Sequence, residues 1–211
     1  MADPLFWLDT NAYFLLYEPS RPGGQALRSM LERNGLIACA VSEITSMEIH
    51  SVLGKSTRTE TAPHLRCERL IQGTGGAIPC THLWIPASRP RLNPRLLASL
   101  HKLIRDAEAQ RGPIRVQVKP VPPTAFRRGR QYLQKYAVSI PVGSHDALIA
   151  ASVAEAQAAE SSISIRLVTS DRGFKRLLQG EGIPHYDPFR NEFWPPSPAP
   201  DTPATGNPLR T

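Results

Sequence analysis

Cysteine is scarce: the 211-residue chain holds three, Cys39, Cys67 and Cys80. An odd number this small argues against a disulfide framework. Long apolar runs are missing as well, and no stretch approaches the length needed to span a membrane. The first residues run directly into the strand-like segment Leu5-Phe6-Trp7-Leu8, with no basic leader and no cleavage signal. These absences lead to the expectation of a soluble, cytoplasmic protein with no membrane partner. The sequence also lacks the G-x-x-x-x-G-K-[ST] loop, which argues against a P-loop enzyme. Acidic residues are the minority, 18 against 25 Lys plus Arg, for a formal charge of +7. That balance favours a polyanionic partner such as nucleic acid, although a mildly basic soluble protein has the same balance.

Enough is present for a folded core, because hydrophobic residues make up 41% of the chain. Short apolar strands alternate with helical patterns. Residues 4–8, Leu36–Val41, Ile114–Val118 and Ile163–Val168 read as strands. Gln25–Arg33, a segment opened by Ser42 and Glu43, Arg95–Gln110, Thr124–Tyr136 and the alanine-rich stretch capped by Ser144 read as helices. Gly35 is expected to end the first of these helices. Gly182–Tyr186 is expected to be a last edge strand. The alternation predicts an α/β fold with a central parallel sheet. Residues 55–94 carry Gly73, Gly75, Gly76 and several prolines, with little periodicity, and read as an insertion. The expected organisation is one domain over 1–189 interrupted at about 55–94, then a proline-rich tail at 190–211 that is expected to be disordered.

Functional groups in open parallel sheets gather beyond the carboxyl ends of the strands. Asp9 closes the first strand and Asp171 follows the Ile163–Val168 strand. Asp146 lies in the first turn of the alanine-rich helix, and Glu48 within an otherwise apolar helix. Singly, each has an ordinary explanation as a turn residue, a helix-dipole partner or a solvated side chain. Together they suggest a carboxylate site. Clustered carboxylates repel, so such a site calls for a cation. Mg²⁺ and Mn²⁺ prefer oxygen ligands and assist phosphodiester hydrolysis.

The motifs then resemble a known family. Leu8-Asp9-Thr10-Asn11 resembles the opening motif of PIN domains. Ser42-Glu43-Ile44-Thr45 followed by Met47-Glu48-Ile49 is similar to their second motif. Ser144-His145-Asp146-Ala147-Leu148-Ile149 and Val168-Thr169-Ser170-Asp171-Arg172-Gly173-Phe174 resemble the third and fourth, in family order. The resemblance is carried by residues 5–54 and roughly 124–189; the 55–94 insertion and the tail lie outside it. It implies a PIN-like three-layer α/β/α fold and Mg²⁺- or Mn²⁺-dependent endoribonuclease activity. The implied catalytic and metal-holding residues are Asp9, Glu48, Asp146 and Asp171, with Thr10, Asn11 and Thr169 supporting them. It also implies RNA as substrate, a VapC-type toxin role with a cognate antitoxin, and pairing as a homodimer.

Two further patterns stand apart from the four acids. His64, Cys67, Cys80 and His82 form an H-x2-C…C-x-H arrangement that could hold Zn²⁺, or be four unrelated loop residues. Arg127, Arg128 and Arg130 form a basic helix face, read either as solvated surface or as a nucleic-acid contact. Rival functions are a hydrolase with a nucleophilic aspartate and a non-catalytic PIN-like module that binds RNA or protein. The first usually needs a second acid two residues after Asp9, where Asn11 stands. The second is disfavoured by the retention of all four acids.

Overall fold

The computed structural model describes residues 4–55, 65–66, 70–73, 76–79, 83–84, 93–160 and 162–196. His64, Cys67, Cys80 and His82 lie outside the described residues. The elements in chain order are β1 (Leu5–Leu8), α1 (Thr10–Leu15), α2 (Pro22–Leu31), β2 (Glu32–Arg33), β3 (Leu36–Ser42), α3 (Glu43–Lys55), the short strands β4 (Leu65–Arg66), β5 (Leu70–Gly73), β6 (Gly76–Pro79) and β7 (Leu83–Trp84), then α4 (Pro94–Glu108), β8 (Ile114–Lys119), α5 (Pro123–Tyr136), α6 (Ser144–Ala159), β9 (Ile165–Val168), α7 (Arg172–Gly180), β10 (His185–Asp187) and β11 (Glu192–Trp194).

The chain divides into two compact units, one formed by Met1–Ile49 with Arg105–Thr211, the other by His50–Ile104. The second unit contains two antiparallel strand pairs, β4 with β7 and β5 with β6. The rings of His50 and His101 stack within it at 5.8 Å.

The first unit is built on a seven-stranded sheet. Its centre is parallel, as expected: β10 pairs β9, β9 pairs β1, β1 pairs β3 and β3 pairs β8, all in parallel. The sheet as a whole is mixed, because β2 and β11 join antiparallel. The reason for β2 is local. Asn34 and Gly35 both have positive φ, 52° and 77°, and form a two-residue turn that sends β2 straight into β3. Gly35 is therefore a hairpin residue, not the helix cap expected from its position. At the other edge β11 extends the sheet to Trp194, past the expected domain boundary at 189.

Helices cover both faces of the sheet, giving the three-layer α/β/α PIN-like arrangement. On one face Trp7, Ile165 and Leu167 bury against Ala125 and Tyr132 of α5, the alanines of α6, and Phe174 and Leu177 of α7. Small side chains allow this closeness. A Cβ added to Gly129 of α5 would stand 3.4 Å from the Ala147 carbonyl oxygen of α6. On the other face α2 packs on β3, and Leu27 and Leu31 are buried there. Burial pushes the thiol of Cys39, on β3, up to about 12, so it is inert packing material.

Gly173 seats α7 at the C-terminal side of β9. A Cβ there would stand 2.4 Å from the Pro141 carbonyl oxygen. Helix propensity alone would favour alanine by about 1 kcal/mol. The clash is with fixed backbone, so the overpacking cost of about 1–3 kcal/mol wins. Gly173→Ala should therefore lower the chemical-denaturation midpoint; an unchanged or raised midpoint would contradict this packing of α7.

Candidate active site: three aspartates at helix starts and a glutamate

Asp9 occupies the point where β1 becomes α1. It is the N-cap of α1, and its carboxylate accepts from the Ala12 N–H at 2.6 Å. Thr10 and Asn11 form the first turn of α1. Asp171 repeats the arrangement after β9. It caps α7, and its Oδ1 accepts from the Phe174 N–H at 2.7 Å. Asp146 sits in the first turn of α6, and its Oδ2 accepts from the Gly143 N–H at 3.0 Å. The cap of α6 is therefore Gly143, one residue before the expected Ser144. Ser42 does act at its expected place, accepting from the Thr45 N–H at 3.1 Å where α3 begins. Three aspartates thus stand at the positive ends of three helices, which offsets part of their mutual repulsion.

The structure brings these groups within electrostatic reach. Burial pushes the Asp9 carboxyl up to about 7. Hydrogen bonds from Thr169 and Ala12 counter part of that, and the charges of Asp146 and Asp171 add to it. Asp146 is also raised, first by burial and then by the charges of Asp171 and Glu48. Glu48, on the second turn of α3, is held by the Thr10 hydroxyl, which donates to its Oε2 at 2.5 Å. Thr169 links two members of the set. Its hydroxyl donates to Asp9 and accepts from the Asp171 N–H at 3.1 Å. Among the described residues, no three His, Cys, Asp or Glu side chains stand close enough to cage a metal ion by themselves.

The remaining candidates fall into place unevenly. Asn11 is exposed, and among the described residues its side chain makes no hydrogen bond to the carboxylates. Arg127 and Arg130 are exposed on α5, whereas the Arg128 Nε pairs with Glu155 of α6 at 3.0 Å. Glu155 is nine residues beyond Asp146, roughly 13 Å along the helix. Arg128 therefore ties two helices together.

Three groups near the site escaped the sequence reading. His145 Nδ1 lies 3.6 Å from Glu48 Oε1. Glu43 accepts from the Val121 N–H at 3.0 Å and fastens the segment after β8. Asp187 is buried on β10, where it pairs with Lys175 and accepts from the Ser170 hydroxyl at 3.0 Å. Burial alone would raise the Asp187 carboxyl; Lys175 and Ser170 outweigh it and hold the group below the usual carboxylate range. The motif Thr169-Ser170-Asp171 carries a signal for this contact only in its middle hydroxyl.

The Asp9 shift has a definite consequence for stability. Its folded value, about 7, lies above the ordinary 3.8. Between those values the folded protein holds a proton that the unfolded chain has released. Stability therefore falls as pH rises through this window and levels off above it. Asp9→Asn removes the penalty while keeping an oxygen that can cap α1. The variant should be more stable than the parent at pH 8, by up to a few kcal/mol, with the gap closing toward pH 4. Thermal melts across that range check this, and a variant destabilised at pH 8 would contradict it.

A family model described as the PIN domain matches residues 7–178. No curated protein matches the chain. Among solved structures, VapBC2 from Rickettsia felis bound to a DNA fragment from their promoter is similar with a TM-score of 0.50 and 15% identity, covering 87% of this chain and 98% of that one. DNA-bound VapBC from Salmonella typhimurium gives a TM-score of 0.46 at 20% identity, covering 88% of this chain and 99% of that one. FitAcB from Neisseria gonorrhoeae gives 0.45 at 18% identity, with 88% and 99% covered. At these identities the structural likeness concerns the fold. The family match spans most of the chain and includes all four carboxylates: the chain belongs to the PIN domain family.

Proposed function

We propose that this PIN domain is a divalent-metal-dependent endoribonuclease that hydrolyses internal RNA phosphodiester bonds and serves as the toxin of a toxin–antitoxin pair. The observation that carries the reading is the gathering of four carboxylates: burial raises Asp9 and Asp146, the charges of Asp146 and Asp171 act on Asp9, and those of Asp171 and Glu48 act on Asp146. Such an arrangement brings like charges together at a cost that the helix-capping bonds of the aspartates offset only in part. The family match and the likeness to a VapBC2 complex support an antitoxin partner, and pairing with a second copy of this chain is part of the same reading.

The donor set fits a hard cation, because all four groups are carboxylates and the nearby side chains are hydroxyls. Mg²⁺ is commonly held by one or two carboxylates, with water and substrate phosphate completing its shell, so a closed protein cage is not required. One or two of Asp9, Glu48, Asp146 and Asp171 would hold it directly, and the others would act through its water shell. Such an ion supplies neutralisation of phosphate charge and acidification of a bound water.

The chain's own contribution is orientation and proton holding. The Ala12 and Phe174 N–H groups and the Thr10 and Thr169 hydroxyls each occupy one acceptor position of a carboxylate and restrict its orientation. Burial lets the Asp9 carboxyl hold a proton near neutrality in the absence of the cation, and binding the cation would displace it. The basic balance of the chain attracts the RNA around this acidic centre.

Purified protein with Mn²⁺ should cut labelled single-stranded or structured RNA internally. Asp9→Asn should lower the rate by about a hundredfold or more, the loss expected when one electrostatic contribution to the transition state is removed. The same variant is expected to be more stable, so lost activity would not report unfolding. RNAs bound but left intact across a diverse set, with Mn²⁺ present, would favour a binding module that does not cut. Expression should arrest bacterial growth, and Asp9→Asn should relieve the arrest.

Protons and the cation compete for the same oxygens. The rise in melting temperature on adding Mn²⁺ should therefore grow from pH 6 to pH 8, as Asp9 and Asp146 lose their protons. A metal response independent of pH would place the ion elsewhere.

A further inference from the structure

A cavity lies between α7 and the β10–β11 edge. It encloses about 460 Å³, within the usual range for ligand sites of about 300–1,000 Å³. Arg172, Lys175 and Arg176 line it from α7, and Arg190 lines it from the connection between the two strands. Lys175 is already engaged, paired with the buried Asp187. Arg172, Arg176 and Arg190 have no carboxylate partner among the described residues, and Arg172 and Arg176 share a helix face at i and i+4. Glu192 is the opposing charge on the rim, so the three arginines leave the cavity positive.

The wall is aromatic. Trp194 lines the cavity and stacks on the buried His185 at 5.4 Å, with 20° between the rings. Guanidinium groups beside a braced aromatic ring suit a nucleotide. Phosphate is recognised by the arginine forks, and a base gains by stacking. An acidic peptide would use the arginines but leave the aromatic wall without a role.

The cavity also adjoins the carboxylate site through rigid structure. Arg172 directly follows Asp171, the cap of α7, and Asp187 on the cavity floor is bonded to Ser170 in the same loop. We propose that this cavity binds the RNA strand next to the point of cleavage, with Arg172, Arg176 and Arg190 on its phosphates and Trp194 against a base. The proposal rests on the ribonuclease reading and adds a second, positively charged contact for single-stranded RNA. In this arrangement the acidic centre repels phosphate until its cation is bound, and the arginines supply the attraction that keeps the strand in place.

The test uses the full chain, a labelled single-stranded RNA of about twelve nucleotides, and a chelator to prevent cutting. Arg176 and Arg190 are exposed, so R176A/R190A should melt like the parent. It should bind this RNA at least tenfold more weakly. Its salt dependence should flatten by roughly 0.7 in the log–log slope for each cation removed. R176K/R190K should keep the slope, because the charge remains. An unchanged affinity and slope in the alanine variant would overturn the proposal. So would unchanged RNA binding with lost binding of polyglutamate, which would make the cavity a seat for an acidic protein segment. If the parent binds RNA through these arginines yet cuts none with Mn²⁺, the nuclease reading fails and the RNA-binding cavity stands. If it cuts normally and the variant binds normally, the cavity proposal alone fails.

Discussion

Asp9 is a carboxylate with almost no access to water, at the junction of the central strand and the first helix. Much of the site follows from keeping it there. A buried carboxylate must be satisfied by donors, and two are provided: the Ala12 N–H, fixed by the geometry of α1, and the Thr169 hydroxyl, fixed at the end of β9. Thr169 can reach Asp9 because β1 and β9 pair in parallel and in register, Leu8 opposite Val168. The same threonine accepts from the Asp171 N–H, so the pairing that satisfies Asp9 also positions the second aspartate. Sheet register and site geometry are one constraint.

Gathering like charges works against folding, and the architecture limits the cost in two ways. The three aspartates stand at helix starts, where unpaired N–H groups and the helix dipoles favour negative charge. Glu48 approaches from α3 and is held by the Thr10 hydroxyl, with His145 Nδ1 3.6 Å from its other oxygen. Asp9 and Asp146 stay above the ordinary carboxylate range, first because burial disfavours their charged forms and then because neighbouring carboxylates add to it. Natural sites commonly retain such strain where function requires it. Beyond Asp171 the charge changes sign. Asp187 and Lys175 form an internal pair, and three arginines surround the adjoining cavity.

Much of this was legible in the sequence because the signals are local. A short apolar strand ending in aspartate and an alanine-rich helix announce elements whose position follows from parallel pairing. The hydroxyl of Ser42 three residues before Thr45 announces a helix start in the same way. Asp9, Glu48, Asp146 and Asp171 could be chosen since each stands at an element end or on an apolar helix face. What was not legible depends on distant partners or on backbone sign. Asn34-Gly35 reads equally as a helix stop or a hairpin, and only the pairing of Glu32 with Ile37 decides it. The strand Glu192–Trp194 is three residues long and follows Asn191, so it has too little periodicity to announce itself. Arg128 looks like its neighbours Arg127 and Arg130, and Glu155, twenty-seven positions away, makes it a structural tie. Asp187 sits in a Pro- and Phe-flanked turn sequence and shows its importance only through Ser170 and Lys175.

The central claim is that the four carboxylates behave as one coupled cluster organised around Asp9. The most direct measurement is a carbon-detected NMR titration of the Asp9 side chain, in the parent and in Asp146→Asn, without divalent metal. The account predicts a midpoint near 7 in the parent and a lower one in the variant, because a neighbouring negative charge has been removed. A parent midpoint in the ordinary carboxylate range, or one that Asp146→Asn leaves in place, would contradict it.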